Sequence, residues 1–209
     1  MHTEWSYDTS AEASMARSCE QALAIGLPAV AFTEHLEFTA GGDGDAIAGI
    51  ATDARWWGRI KPLDVTGYLA AVEECRQRYP GLRILSGVET GESHLFAASA
   101  GAIVRGHEFD RVLGSLHAVP YNGRLVAADA LFGQMPADDA MRYYFAELVR
   151  LIESSGLFQV LAHLDFPRRY WPRHFCGCRS RRGRVMRLCR RRSRSCECRR
   201  SGGSRFRAR

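Results

Sequence analysis

Four apolar runs, each ending in a histidine or a carboxylate, constrain this chain more than anything else in it. The first, from Ala29 to His35, reads Ala-Val-Ala-Phe-Thr-Glu-His: small or β-favouring apolar residues, then a polar tip. Arg83 to Glu89, Arg111 to His117 and Phe158 to Asp165 repeat the pattern. A parallel strand covered by helices needs apolar side chains on both faces, and a parallel barrel presents the polar tips of its strands at one functional rim. One histidine at a strand end is ordinary. Several strands aiming nitrogen and oxygen donors at a common rim is what a cluster of hard or borderline divalent metals requires.

Helical patterns separate these runs. Thr9 and Glu12 stand in capping-box spacing ahead of a helix through Met15, Cys19, Ala22 and Leu23 that stops at Gly26. Asp64 is placed to cap a second helix through Tyr68, Leu69, Val72, Cys75 and Tyr79, closed by Pro80-Gly81. A shorter helix is expected over Leu95 to Val104, and a long one opening on Asp138 and Asp139 and continuing through Met141, Tyr144, Phe145, Leu148 and Ile152. Phe38 to Ile60, rich in Gly and Asp and holding Trp56 and Trp57, reads as a long excursion over the rim. Val119 to Pro136 reads as another loop, turning at Tyr121-Asn122-Gly123, and a last strand is expected over Leu157 to His163. Such alternation of strand and helix argues for a parallel (β/α) barrel.

Charge divides the chain where this grammar stops. The 209 residues carry a net +6, but Phe175 to Arg209 holds 14 Arg and one Glu, a net +13, so the body is acidic at −7. The body contains only Cys19 and Cys75, both on predicted helices and read as small buried residues of a reducing compartment. Cys176, Cys178, Cys189, Cys196 and Cys198 crowd the tail, whose Arg, Cys, Gly and Ser lack apolar periodicity. That composition is what a GC-rich coding sequence yields out of frame. The expected division is therefore 1–173 as the folded domain and 174–209 as a disordered, out-of-frame tail. The competing reading is an Arg-rich segment that neutralises nucleic-acid phosphates. The C-x-C pairs in it differ from the C-x₂₋₄-C spacing of structural zinc sites. No apolar run approaches the roughly 20 residues of a membrane span, no signal peptide precedes the first motif, and a cytoplasmic protein without membrane partners is expected.

His2-Thr3-Glu4-Trp5-Ser6-Tyr7-Asp8, Thr33-Glu34-His35, Gly87-Val88-Glu89, Gly114-Ser115-Leu116-His117 and Ala162-His163-Leu164-Asp165, in this order and spacing, resemble the motifs of the PHP (polymerase and histidinol phosphatase) family. The run from His163 to Tyr170 brings the chain nearest to the monofunctional histidinol-phosphatases of that family. The resemblance covers Met1 to Tyr170 and none of the tail. It implies an α/β fold, a distorted parallel (β/α)7-type barrel, and a metal-dependent phosphomonoesterase that hydrolyses L-histidinol phosphate to L-histidinol and phosphate in histidine biosynthesis. It further implies His2, Asp8, His35, Glu89, His117 and His163 as ligands of two or three divalent ions, Zn, Mn or Fe. Hydrolysis of a phosphate monoester needs an activated water and neutralisation of charge on the phosphoryl oxygens, and such ions supply both.

Beside these ligands, Glu34 and Asp165 are candidates for catalysis, by handling protons or fixing imidazoles, and Arg168 and Arg169 for gripping the substrate phosphate. The family opens on His-x-His and closes on a late Asp-x-His. Met1 falls on the first x and no such pair follows Asp165, so the resemblance implies a barrel incomplete at both ends, with His2 lacking the strand that would hold it. Two rival readings stay open: a PHP-type phosphoesterase acting on nucleotides or nucleic-acid ends, and an inactive fragment. The expected partner is a small phosphate ester, with nucleic acid only if the basic tail is genuine. His94 and His107 fall outside the motifs and read as surface residues; Trp5, Trp56 and Trp57 read as packing.

Overall fold

The computed structural model describes residues 1–10, 12–38, 51–52 and 60–172, all within a unit running from Met1 to Pro172. The tail from 173 onward, with its cysteines, and most of the Phe38 to Ile60 excursion, with Trp56 and Trp57, lie outside the described residues.

Helix α1 spans Met15–Ala24. Its cap is Ser14, whose hydroxyl accepts from the Arg17 amide at 3.3 Å, and not Thr9 as the capping-box spacing suggested. The Thr9 hydroxyl is engaged elsewhere, donating to the carbonyls of Thr3 and Ser6 and tightening the turn that leads out of His2. Strands β1 (Ala29–Ala31) and β2 (Glu34–Leu36) follow, then β3 (Ala51–Thr52) and helix α2 (Val65–Arg78), capped by Asp64 as expected through the Gly67 amide at 3.0 Å. Next come β4 (Arg83–Leu85), β5 (Gly87–Gly91), helix α3 (Ala97–Gly106) and β6 (Arg111–Ser115). A hairpin of β7 (Ala118–Tyr121) and β8 (Arg124–Ala127), a 3-10 turn (Ala128–Gly133), helix α4 (Ala137–Ser154) and strand β9 (Val160–Leu161) complete the order, before a second 3-10 turn over Phe166–Tyr170.

The runs from Ala29 and from Arg83, each expected as one strand, are both broken in two. β1 pairs in parallel with β4, and β2 with β5. Between the two pairings the Tyr68 hydroxyl of α2 enters the sheet. It accepts from the Gly87 amide and lies 2.9 Å from the carbonyls of both Phe32 and Gly87, sharing its one proton between them. A side chain here does what a strand-to-strand bond does elsewhere. Gly87 is required at the joint, since a Cβ there would sit 2.5 Å from the Arg111 carbonyl oxygen.

The principal sheet runs β2-β5-β6-β9, all parallel. The expected barrel is thus present as its α/β, parallel-stranded wall, and the ring does not close among the described residues. β9 is shorter than the strand expected over Leu157 to His163, although the Gln159 and Ala162 amides extend its ladder onto β6 through Val112 and Gly114. The stretch read as a loop from Val119 to Pro136 is instead the β7-β8 hairpin and a 3-10 turn. Pro120 within β7 masked the strand pattern, but the turn lies where its residues require it, with Asn122 (φ 49°) and Gly123 (φ 71°) left-handed.

One apolar core sits between α1, α2 and the β1/β4 pair, built on Met15, Cys19, Phe32, Tyr68, Val72 and Ile84, with Trp5 packed against it edge-on to Tyr68. Cys19 and Cys75 are buried in it with free thiols, and burial pushes the Cys19 thiol up to about 12. A second core joins α4 to the hairpin through Leu116, Val119, Leu131, Tyr144, Leu148 and Leu151. Phe145 and Ile152, expected on the apolar face of α4, lie exposed. In their stead the helix buries Glu147, held at 2.8 Å by the Nε2 of His94 and at 2.6 Å by Arg150. His94 is therefore no surface residue: its side chain is 5% exposed, because its hydrogen-bond partner Glu147 is brought against it by α4.

Candidate metal centre

The parallel register places the donors. His35 on β2 lies opposite Glu89 on β5, and Glu89 opposite Leu113 on β6, so the strand tips rise together. His117 follows β6 by two residues and His163 follows β9 by two, which puts both rings at the same end. His2 reaches this end without a strand of its own. The Thr33 amide donates to the Met1 carbonyl and the Met1 amine to the Ala31 carbonyl, so the first residue lies along the break between β1 and β2.

Glu34 completes that anchorage. Its side chain is fully buried and accepts from the Thr3 amide (2.9 Å), the Thr3 hydroxyl (2.7 Å) and the Ser6 hydroxyl (2.5 Å). Ser6 in turn accepts from the His35 amide at 3.0 Å. The expected role of Glu34 is proton handling or the fixing of an imidazole; both its oxygens accept from Thr3 and Ser6 and clamp the segment carrying His2 and Asp8 onto β2.

Glu89 stands at the middle. One of its oxygens lies 3.0 Å from His2 Nε2; the other lies 2.5 Å from His163 Nε2 and 3.4 Å from His117 Nε2. The facing nitrogens of His117 and His163 are 3.3 Å apart. His35 stacks on His2 with centroids 4.1 Å apart, and its Nε2 is 3.3 Å from Asp8. Five of the six expected ligands thus come together, and the sixth, Asp8, lies against His35. Three overlapping groups, His2/His35/Glu89, His35/Glu37/His117 and Glu89/His117/His163, each bring a donor atom from every member within 4.8 Å of the others.

Two residues that matter here escaped the sequence reading. Glu37 is buried, with one oxygen 2.7 Å from His117 Nδ1 and 3.5 Å from His35 Nδ1. Glu92, also buried, accepts the amides of His117 (2.6 Å) and Ala118 (2.7 Å) on one oxygen. Glu37 had one available signal: it lies two residues beyond His35, on the same side of an extended chain.

Asp165 and the two arginines stand farther out. Asp165, expected to fix an imidazole or handle protons, is exposed, and among the described residues the Nδ1 of His163 has no hydrogen-bond partner. The chain turns immediately after it into the 3-10 segment, where the Asp165 carbonyl accepts from the Arg168 amide. Arg168 and Arg169 are exposed on this turn. The Arg169 guanidinium lies 4.8 Å over Phe166, whose ring contacts both His117 and His163 at about 5 Å.

The electrostatics follow from packing acids and imidazoles out of water. Burial alone would strip His35 of its proton, but Asp8 and Glu37 outweigh it and hold its pKa up at about 9. Burial opposes ionisation of Glu37, yet His117 and His35 draw it down to about 2. Burial likewise opposes ionisation of Glu89, and hydrogen bonds from His117, His163 and His2 take it far below the usual carboxylate range. Glu92, buried beside the Glu37 charge, is pushed up to about 8. Imidazole nitrogens that face each other across an ionised carboxylate are held by cations, protons or metals, and this donor set suits zinc, manganese or iron. The residues present fit such ions.

A family model described as "PHP domain" matches residues 1–185. A "Probable histidinol-phosphatase" of Clostridium acetobutylicum is 28% identical over 97 residues, which are 46% of this chain and 37% of the relative. Among solved structures, histidinol phosphate phosphatase from Lactococcus lactis, crystallised with zinc, L-histidinol and phosphate, superposes with a TM-score of 0.66 at 22% identity, over 83% of this chain and 59% of that one. A candidate histidinol phosphatase from Listeria monocytogenes gives 0.64 at 17% identity, over 78% and 64%. At these identities the likeness to the solved structures is one of fold. The chain spans a little over a third of the curated relative's length.

Proposed function

Since the chain belongs to the PHP domain family, a family of phosphoesterases, we propose that it is a cytoplasmic metal-dependent phosphomonoesterase whose substrate is L-histidinol phosphate, in histidine biosynthesis. The observation that carries this reading is the convergence of four imidazoles on Glu89 and its neighbours, from segments as far apart in sequence as His2 and His163.

His2, Asp8, His35, Glu89, His117 and His163 would hold two or three divalent ions, zinc, manganese or iron, with the two oxygens of Glu89 divided between the His2 side and the His163 side. Bound there, such ions would supply positive charge against the phosphoryl oxygens and acidify the attacking water. The protein's own part is positioning. Glu34 and Ser6 fix the segment bearing His2 and Asp8, and Arg169, held over Phe166, would take a phosphate oxygen of the substrate. Arg168 serves the same anion from the adjoining position. The relatives named for histidinol phosphate support this substrate over other monoesters.

A second reading, hydrolysis at nucleotide or nucleic-acid ends, is favoured by one observation, the +13 charge of the tail. Phosphate release from L-histidinol phosphate and from 5′- and 3′-phosphorylated oligonucleotides, each with manganese or zinc, separates the two. Faster release from histidinol phosphate is expected. Preference for the oligonucleotides would replace this reading with the second, and no release from either by metal-loaded protein would mark the chain as inactive.

A further inference from the structure

The three donor groups raise a question that their geometry answers: whether His35, Glu37 and His117 form a third ion site or serve the other two. His117 decides it. Its Nε2 already faces Glu89 and His163, at 3.4 and 3.3 Å, whereas its Nδ1 faces Glu37 at 2.7 Å. A neutral imidazole has one lone pair and one N–H. An ionised carboxylate can only accept, so Nδ1 keeps its proton; on the other side of the ring Nε2 shares a proton with Glu89 when no ion is bound, and it is the Nε2 lone pair that an ion would take in that proton's place. To ligate ions through both nitrogens the ring would have to lose the Nδ1 proton as well, beside a buried anion.

The backbone of the same residue is held by a second buried acid. One oxygen of Glu92 accepts from the amides of both His117 and Ala118, while the Glu92 amide donates to the Ser115 carbonyl at 3.1 Å. Glu92 does this from a left-handed backbone (φ 44°), a conformation in which a glutamate is rarely found. The Leu95 and Phe96 amides, both bonded to the Glu92 carbonyl, brace it there. Its side chain thereby reaches from the end of β5 across to the end of β6, where the chain leaves the sheet, and holds the amide side of His117 while the Ala128 amide holds its carbonyl.

We propose that Glu37 and Glu92 are positioning residues forming a two-carboxylate clamp on His117. Glu37 sets which ring nitrogen is left to an ion, and Glu92 sets where the ring's backbone stands. Neither binds an ion. This rests on the metal-centre reading above and assigns the third donor group to the support of the other two. Ring support of this kind typically changes metal affinity about 10–100-fold.

The test uses the full chain labelled with ¹⁵N-histidine, titrated with zinc alone, as wild type, Glu37→Ala, Glu37→Gln, Glu92→Ala, Glu92→Gln and Glu92→Asp. Wild type should show the His117 Nδ1 proton as a slowly exchanging low-field signal. Glu37→Ala should lose that signal and bind the same number of zinc ions at least about tenfold more weakly. Glu92→Ala should weaken zinc binding likewise, and Glu92→Gln should restore it, because the amide oxygen can accept the same two backbone protons. Should Glu92→Ala fail to fold, Glu92→Asp, whose oxygen is withdrawn from those amides, takes its place. Loss of one bound zinc in Glu37→Ala, with the affinity of the rest unchanged, would make Glu37 a ligand and overturn the clamp. So would wild-type affinity and tautomer in the Glu37 variants. If wild type binds no zinc, the metal-centre reading fails, and the Nδ1 signal of the ion-free protein still reports whether Glu37 sets the ring.

Discussion

At the scale of single residues, neighbours in sequence do different work. Glu34 and His35 are adjacent in a strand and point to opposite faces, so the acid beside the ligand cannot share its task. Glu34 accepts three hydrogen bonds in a fully buried position. Glu34→Ala should therefore cost stability by leaving Thr3 and Ser6 unpaired, about 1–3 kcal/mol for each buried group, with a lower denaturant midpoint and a loosened His2. A Glu34→Ala protein with unchanged midpoint but no turnover would instead return Glu34 to the chemistry. His117→Ala should behave in the opposite way. Its helix content by circular dichroism should stay near that of wild type while bound metal falls and phosphate release is abolished, and unchanged release would remove His117 from the centre.

At the scale of elements, the broken strands are where a residue-by-residue pattern stops being informative. The run from Ala29 to His35 is uniformly strand-like, and nothing within it marks the break. The cause lies on α2, where Tyr68, fully buried, inserts its hydroxyl between Phe32 and Gly87. Tyr68→Phe should leave those backbone groups without a partner and lower stability by about 1–3 kcal/mol, read as a fall in melting temperature. An unchanged melting temperature would show that the hydroxyl does not carry the joint. The hairpin between β7 and β8 was legible only at its turn, because Asn122-Gly123 is a local signal whereas the pairing of its short strands is not.

At the scale of the whole molecule, the centre couples stability to protons and metal. Take protein stripped of ions by a chelator. His35 has a pKa of about 9 against an ordinary 6.5, so its contribution is fully present below about pH 6.5 and is lost as the pH rises through 9. Glu37 lies at about 2 against an ordinary 4.5, so its contribution is present above about pH 4.5 and is lost as the pH falls through 2. Glu92 acts in the opposite sense, since at about 8 against an ordinary 4.5 it costs stability progressively as the pH rises from 4.5 to 8. The stripped protein should therefore melt highest near about pH 4.5 and lose melting temperature on either side. Zinc, which displaces these protons, should flatten the alkaline fall. A flat profile from pH 6.5 to 9 without metal would show that the buried imidazoles do not hold protons there.

What the sequence determined by itself is the class of fold and a set of candidate donors: apolar runs tipped with histidine and carboxylate are local patterns, and parallel strands carry such tips to one end whatever else the chain does. The tertiary structure decided the rest. Glu37 meets His117 across 80 residues, Glu34 turns away to hold Thr3 and Ser6, and His94 is buried by an acid on α4. Each of these depends on which elements face one another, and a carboxylate looks the same in sequence whether it faces an ion, an imidazole or a backbone amide.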